Sequence, residues 1–401
     1  MDRTQASHDN TPENAYIPAM APNFQQPYRK SDEEVIGMDS VSLIHQPNND
    51  VTLNLDTNQR NGVFRSVIRR KLWIIFTVLC TFTIIIIFLV LYIVLRPGRS
   101  TRAKNEDITD GELSSRLGAP GSTTEGLSCY PFNFLQTVTP KPIHSHNDYL
   151  RKVPLCTALR HGCVSVEADV WLFDEPGRRD HLYVGHDKAS LRPNRTFQAL
   201  YIQPLVNILT RQNPVSESYN VTSRGVFDTA PNQTLTLLVD VKTAGPETWA
   251  KVVEQLEPLR ERGWLTHVAN GTIHPGPVTV VGSGNTPFNL LTENTTYRDY
   301  FFDAPLGKLQ DGTFNATNSY YASVGFRSAI GCTWMGTLST SQVGKVRRQV
   351  EEAHARGLKV RYWDLPQWPI GARHLIWGYL KKEGADVLNA DDMKDAGRLD
   401  W

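Results

Sequence analysis

The chain has 401 residues, 40% of them apolar, enough for at least one sizeable hydrophobic core and, by length alone, for two or three domains. Its 42 Lys and Arg against 41 Asp and Glu leave a net charge of +1, so no global positive field marks a nucleic-acid binder. Five cysteines without a C-x-x-C pair exclude a disulfide scaffold and the usual zinc fingers.

The mean hydropathy of -0.34 is that of a soluble protein, but it averages over very unequal segments. Residues 1–62 are rich in Asn, Gln, Asp and Pro without apolar periodicity and read as a disordered tail. From Leu72 to Leu95 no residue is charged, and Lys71 and Arg96 bound the run. At about 1.5 Å per residue the segment makes a helix of roughly 36 Å, longer than a hydrocarbon core of about 30 Å, so a tilted transmembrane span is expected. A buried core helix is the alternative, disfavoured because the run is apolar on every side. Residues 97–128, with RPGRSTRAK and GAPGSTTEG, read as a flexible stalk, and 130–401 as one large α/β domain.

Orientation follows from glycosylation acceptors better than from charge, because Arg and Lys are nearly balanced across the span. None of the asparagines before the span begins an Asn-x-Ser/Thr sequon, whereas Asn194, Asn220, Asn232, Asn270, Asn294 and Asn315 do. The expectation is a single-pass protein with its N-terminus in the cytosol and the large domain luminal or extracellular, in a secretory-pathway, plasma or vacuolar membrane. The acidic, Arg-poor N-terminus does not resemble a mitochondrial transit peptide.

Within the large domain, β-branched runs alternate with helical stretches, as in a parallel sheet with crossover helices. Strands are predicted at 142–146, 164–170, 235–241, 278–282, 299–303, 320–325, 359–364 and 385–388, and the clearest helices at 149–160, 195–210, 247–262, 341–355 and 371–382. Eight strands and no G-x-G-x-x-G after any of them favour a TIM-type (β/α)8 barrel over an open dinucleotide fold.

The polar residues of these strands carry the chemistry. In VSVEADVW, Glu167 and Asp169 lie two apart and share a face; in LLVDVK, Asp240 and Lys242 do the same. Neighbouring carboxylates repel unless a cation lies between them, and hard oxygen donors suit Mg²⁺ or Ca²⁺. A salt bridge inside the barrel is the plainer reading of either pair alone. His144 and His146 end the first strand and His186 follows the acidic one, so three histidines are predicted near the C-terminal mouth where barrel enzymes work. Two imidazoles beside a bound phosphate supply the two proton carriers that phosphodiester cleavage needs.

HSHNDY, VEADVW, VGHD, LVDVK, KVRYWDL and GADVLNADD, in that order, resemble the phospholipase-C-like phosphodiesterase superfamily, which includes glycerophosphodiester phosphodiesterases and sphingomyelinase D enzymes. The branch most resembled includes the fungal "altered inheritance of mitochondria" proteins, member six. The resemblance implies a divalent ion, Mg²⁺ or Ca²⁺, on Glu167, Asp169 and Asp240. It implies a catalytic pair of His186 with His146, or with His144 in its place, and Lys242 on the phosphate. Asn147 stands where the superfamily carries the residue after its histidine and would face substrate. Trp363 lines the mouth or packs as an ordinary core aromatic. The substrate class implied is a phospholipid or a lipid-headgroup phosphodiester.

Two other readings compete. His144-x-His146 fits the metal motif of amidohydrolase barrels, which needs further histidines at later strand ends. A barrel that binds lipid or protein without turnover is the non-enzymatic alternative. In an oxidising lumen Cys156 and Cys163 are the preferred disulfide pair.

Overall fold

A computed structural model describes residues 57–94, 135–214 and 223–401. Most of the expected tail, Leu95, the expected stalk, Cys129 and Asn220 lie outside the described residues.

The apolar run forms part of a 38-residue helix, Thr57–Val94. Within it Ile68–Leu89 is long and apolar enough to cross a membrane, and none of that segment is buried in the molecule. The hydroxyls of Thr77 and Thr83 turn back onto the Ile74 and Leu79 carbonyls at 2.9 and 2.8 Å, which pairs both donors within an apolar helix. Residues 57–62, expected in the tail, are helical instead. Extending a helix already nucleated by the apolar run adds one hydrogen bond per residue without a new nucleation cost.

The large domain is a closed barrel of eight parallel strands: β1 (Lys141–Ser145), β2 (Cys163–Trp171), β3 (Leu235–Val241), β4 (Val278–Gly284), β5 (Phe301–Pro305), β6 (Ser319–Gly325), β7 (Lys359–Trp363) and β8 (Val387–Ala390). Each pairs with its sequence neighbour, and β1 pairs with both β2 and β8, which closes the ring. All eight fall within about two residues of the sequence expectation. A two-residue strand, Tyr183–Val184, runs antiparallel to the end of β2 above the ring.

Alternation along the strands separates two apolar regions. Outward residues such as Val166, Ala168 and Val170 of β2, or Leu237, Val239 and Val241 of β3, join the main core between strands and helices. Inside the ring a small cluster of Leu238, Val281, Tyr321 and Val387 fills one layer. The remaining interior side chains are polar: His144, Ser165, Glu167, Ser323, Arg361 and Asn389 are all buried.

Two helices depart from expectation. The stretch 149–160 forms a short 3₁₀ turn, Asp148–Leu150, and a separate helix, Cys156–Arg160. Pro154 breaks the pattern, and the buried Asp148 carboxylate accepts from Ser145 Oγ at 2.7 Å and from the Leu155 amide at 2.6 Å, tying the intervening loop in place. The stretch 247–262 likewise divides at Leu256 into Gly245–Gln255 and Glu257–Arg260, because Pro258, in the first turn of the second helix, has no N–H to continue the first. No disulfide joins Cys156 and Cys163. Each is a buried thiol that fills a core position, and burial pushes the Cys163 thiol far above its ordinary range, where it is unreactive.

Arg361 crosses the barrel interior. Its guanidinium pairs with Asp303 at 3.1 Å, donates to Asn389 Oδ1 at 3.0 Å and to Ser323 Oγ at 3.1 Å. Arg361→Met strands the buried Asp303 charge and is expected to destabilise the barrel by roughly 3–5 kcal/mol, while Arg361→Met with Asp303→Leu recovers much of the loss. Equilibrium denaturation of the two variants checks this; a double variant no more stable than the single one would show that the pair is not the source.

Candidate functional site

The site lies at the C-terminal ends of β1, β2 and β3. Register places Asp169 directly beside Asp240, and with Glu167 one pleat below them these carboxylates offer oxygens all within 4.8 Å of one another. Glu167 and Asp169 are buried and Asp240 is partly exposed. Gly284, the Cα partner of Val241 on β4, permits this approach. It has φ +64°, and a Cβ there would lie 2.0 Å from Asp240 Oδ1.

Lys242 extends the β2–β3 ladder through its amide to the Val170 carbonyl, and its ammonium sits 2.9 Å from both Asp169 Oδ2 and Asp240 Oδ2. One lysine against three carboxylates leaves the cluster negative. Burial and then the Glu167 charge push Asp169 up to about 7, against the pull of Lys242. Burial also raises Asp240, again opposed by Lys242. Asp169 Oδ1, fully buried, has no hydrogen-bond partner among the described residues. An orphaned carboxylate oxygen facing two further carboxylates is the donor set of a hard divalent cation, and the residues present fit Mg²⁺ or Ca²⁺.

Glu167 is held differently. Burial alone would raise its pKa, but His144, His146 and Arg361 outweigh burial and keep it ionised, below the usual carboxylate range. It accepts from the Asn147 amide at 2.9 Å, which is possible because Asn147 adopts a left-handed conformation, φ 48°. His144 Nε2 lies 3.5 Å from Glu167 Oε2 and its Nδ1 2.7 Å from Ser165 Oγ. Burial lowers the His144 pKa to about 4, so the ring is neutral; Ser165 donates to Nδ1 and the Nε2 proton is left for Glu167.

His146 approaches the cluster at Glu167 and His186 at Asp169, each at 3.9 Å. His146 is partly exposed, with Nδ1 2.7 Å from Asp391 Oδ1 and Nε2 3.9 Å from Glu167 Oε2. Burial would lower its pKa, but the hydrogen bond to Asp391 and the charge of Glu167 raise it overall. His186 is largely exposed, in a loop anchored where the Gly185 amide meets the Asp169 carbonyl and the Trp171 indole donates to the Gly185 carbonyl at 2.7 Å. Its Nδ1 is 3.2 Å from the Tyr149 hydroxyl, which also lies 2.6 Å from Asp169 Oδ2 and from Asn147 Oδ1. The phenol has one proton, and burial with the Asp169 charge raises its pKa strongly, so it stays protonated. Trp363 is exposed at the end of β7, with its ring beside Gly325.

The structure thus brings His146, Asn147, Glu167, Asp169, His186, Asp240 and Lys242 together. Tyr149, Arg361 and Asp391 join them without having been singled out in the sequence. Arg361 had a legible signal, a charged residue in the middle of an apolar strand; Tyr149 had none, because it was read as the start of a helix. An amidohydrolase arrangement is not formed: His144 faces Arg361 and Glu167, His354 and His374 pair with Asp386 and Asp395, and His267 and His274 stack in a small separate sheet.

The family model described as an AIM6-like phosphodiesterase domain matches residues 132–303, which contain β1 to β4, the start of β5 and every residue of the carboxylate cluster. An altered inheritance of mitochondria protein 6 homolog of Arthroderma benhamiae is 41% identical over 278 residues, 67% of this chain and 86% of the relative. The Lachancea thermotolerans protein named altered inheritance of mitochondria protein 6 is 34% identical over 315 residues, 70% of this chain and 72% of its own. A Saccharomyces cerevisiae protein of the same name is 33% identical over 285 residues, 65% and 71% of the two chains. With a phosphodiesterase-type domain on a TIM-like barrel and relatives matched over most of their length, the chain belongs to the altered inheritance of mitochondria protein 6 family.

Proposed function

We propose that the chain is a membrane-anchored, divalent-metal-dependent phosphodiester hydrolase acting on a phospholipid or on its headgroup diester. The observation that carries this reading is the orphaned Asp169 Oδ1 within a negative cluster flanked by two imidazoles. Glu167, Asp169 and Asp240 would hold the ion, and when bound it supplies positive charge to the phosphoryl oxygens.

The chain's own residues divide the remaining work. Lys242, fixed between two carboxylates and kept protonated by them despite its burial, is a second positive group for the phosphate. Asp391 on Nδ1 of His146 leaves Nε2 as the nitrogen turned to the cluster, while Tyr149 at Nδ1 of His186 leaves that ring's Nε2 toward solvent. One imidazole takes the proton of the attacking group or attacks phosphorus itself, and the other gives a proton to the departing alkoxide. Asn147, with its amide committed to Glu167, contributes its side chain at the same rim. The span Ile68–Leu89 supports membrane anchoring, and the five sequon asparagines among the described residues, Asn194, Asn232, Asn270, Asn294 and Asn315, are all exposed, as a luminal barrel requires.

Purified full-length protein is expected to hydrolyse an aryl phosphodiester only with Mg²⁺ or Ca²⁺, to lose that turnover in EDTA, and to fall by about 100-fold or more in Glu167→Gln and in His186→Ala. Unchanged rates in both variants would remove the enzymatic reading. Gly284→Ala, which drives a Cβ against Asp240, is expected to raise the metal concentration for half-maximal activity by about tenfold, the loss typical of a disturbed ligand setting, with the fold intact by circular dichroism. For topology, endoglycosidase treatment of the protein from its native membrane is expected to increase its gel mobility; a chain without glycan at any sequon would reverse the proposed orientation.

A further inference from the structure

Two βα-loops at the same end of the barrel as the carboxylates present large apolar side chains to solvent. Trp334 is 85% exposed and Trp368 76%, with Met335 and Ile370 beside them in sequence and also exposed. The loops touch: Gly336, in the turn that carries Trp334 and Met335, packs so closely on the backbone of Ala372 that a Cβ there would lie 2.4 Å from its carbonyl oxygen. The four side chains therefore belong to one patch beyond the ends of β6 and β7. Trp363 ends β7, the strand that leads into the Trp368 loop, with its ring against Gly325 at the end of β6.

The chemistry of the loops narrows the occupant. Residues 330–341 (IGCTWMGTLSTS) and 365–372 (LPQWPIGA) contain no charged residue. Indole rings with an apolar body and one N–H donor, set among uncharged Ser, Thr and Gln, suit the boundary between headgroups and acyl chains. The chain carries its own access to such a boundary. About 40 residues separate Val94 from Leu135 and reach at most roughly 140 Å fully extended, so anchoring by Ile68–Leu89 would tether the barrel within that reach of a bilayer.

We infer that the patch of Trp334, Met335, Trp368 and Ile370 docks the mouth of the barrel on the surface of a neutral lipid bilayer and presents the carboxylate cluster to diesters still in the membrane. The inference rests on the proposed function for its choice of substrate and makes the source of that substrate the bilayer rather than free headgroup diesters. Docking is driven by partition of the indoles, so it is insensitive to salt and independent of anionic lipid, unlike attachment by a basic patch.

The test uses the full chain reconstituted in phosphatidylcholine vesicles, wild type and Trp334→Ala/Trp368→Ala. Replacing the host lipid by brominated phosphatidylcholine is expected to quench about half or more of the fluorescence that distinguishes wild type from variant, equally at low and high salt, because bromine quenches only indoles at membrane depth. The variant is expected to hydrolyse a bilayer-borne diester about tenfold more slowly than wild type, with Trp334→Phe/Trp368→Phe retaining most of the rate, while all three proteins treat a water-soluble diester alike. If the difference fluorescence is unquenched, or is quenched only as protein is crowded in the vesicle, the patch serves a protein partner or a second copy and the inference fails. A wild type inactive on both diesters removes the proposed function, and the quenching result still decides the docking.

Discussion

A carboxylate enclosed in a barrel costs several kcal/mol unless donors and positive charge meet it, and Glu167 is the group around which this barrel meets that demand. It receives the Asn147 amide, the His144 ring and, at longer range, the charges of His146 and Arg361. Each of these has its own requirement. Asn147, two residues after β1, adopts a left-handed conformation as it presents its N–H. Arg361 must be compensated by Asp303, Asn389 and Ser323, so the polar interior extends across β5, β6, β7 and β8. The buried polar layer is one connected network, anchored at a single acid.

The upper rim obeys the opposite balance. Asp169 and Asp240 share one lysine, both are pushed toward protonation by burial and by neighbouring acids, and one oxygen of Asp169 is left without a partner. Asp303 Oδ1 in the interior is likewise without a partner, but Arg361 meets that carboxylate directly, whereas Asp169 shares its lysine with Asp240. The contrast between a compensated acid below and under-compensated acids above supports the proposed site at the mouth, the end where TIM-type enzymes carry their chemistry. Tyr149 couples the two levels laterally, because its hydroxyl touches Asp169, Asn147 and His186 together.

Much of this was legible in residue order. Glu167 and Asp169 two apart in an apolar strand, and Asp240 with Lys242 in another, require a shared face in any β structure, and the barrel put both pairs where alternation said. The helix predicted at 149–160 is interrupted by Pro154 and by the capture of Asp148 by Ser145 and Leu155, a competition between local hydrogen bonds and helix that spacing does not display. Cys156 and Cys163, the pair expected to bridge in an oxidising lumen, are each a core thiol.

The sequence by itself determined the periodic features: an apolar run long enough for a membrane, eight alternating strands, and the faces on which the acids lie, because these depend only on backbone geometry repeated every 2 or 3.6 residues. Tertiary structure alone decided which distant residues complete the site. Asp391 reaches His146 from the far end of the chain, Arg361 reaches His144 from β7, and Gly284 leaves room for Asp240 from β4. These contacts arise from closure of the ring, where β1 meets β8 and strand ends remote in sequence converge on one axis, and no local pattern encodes that convergence.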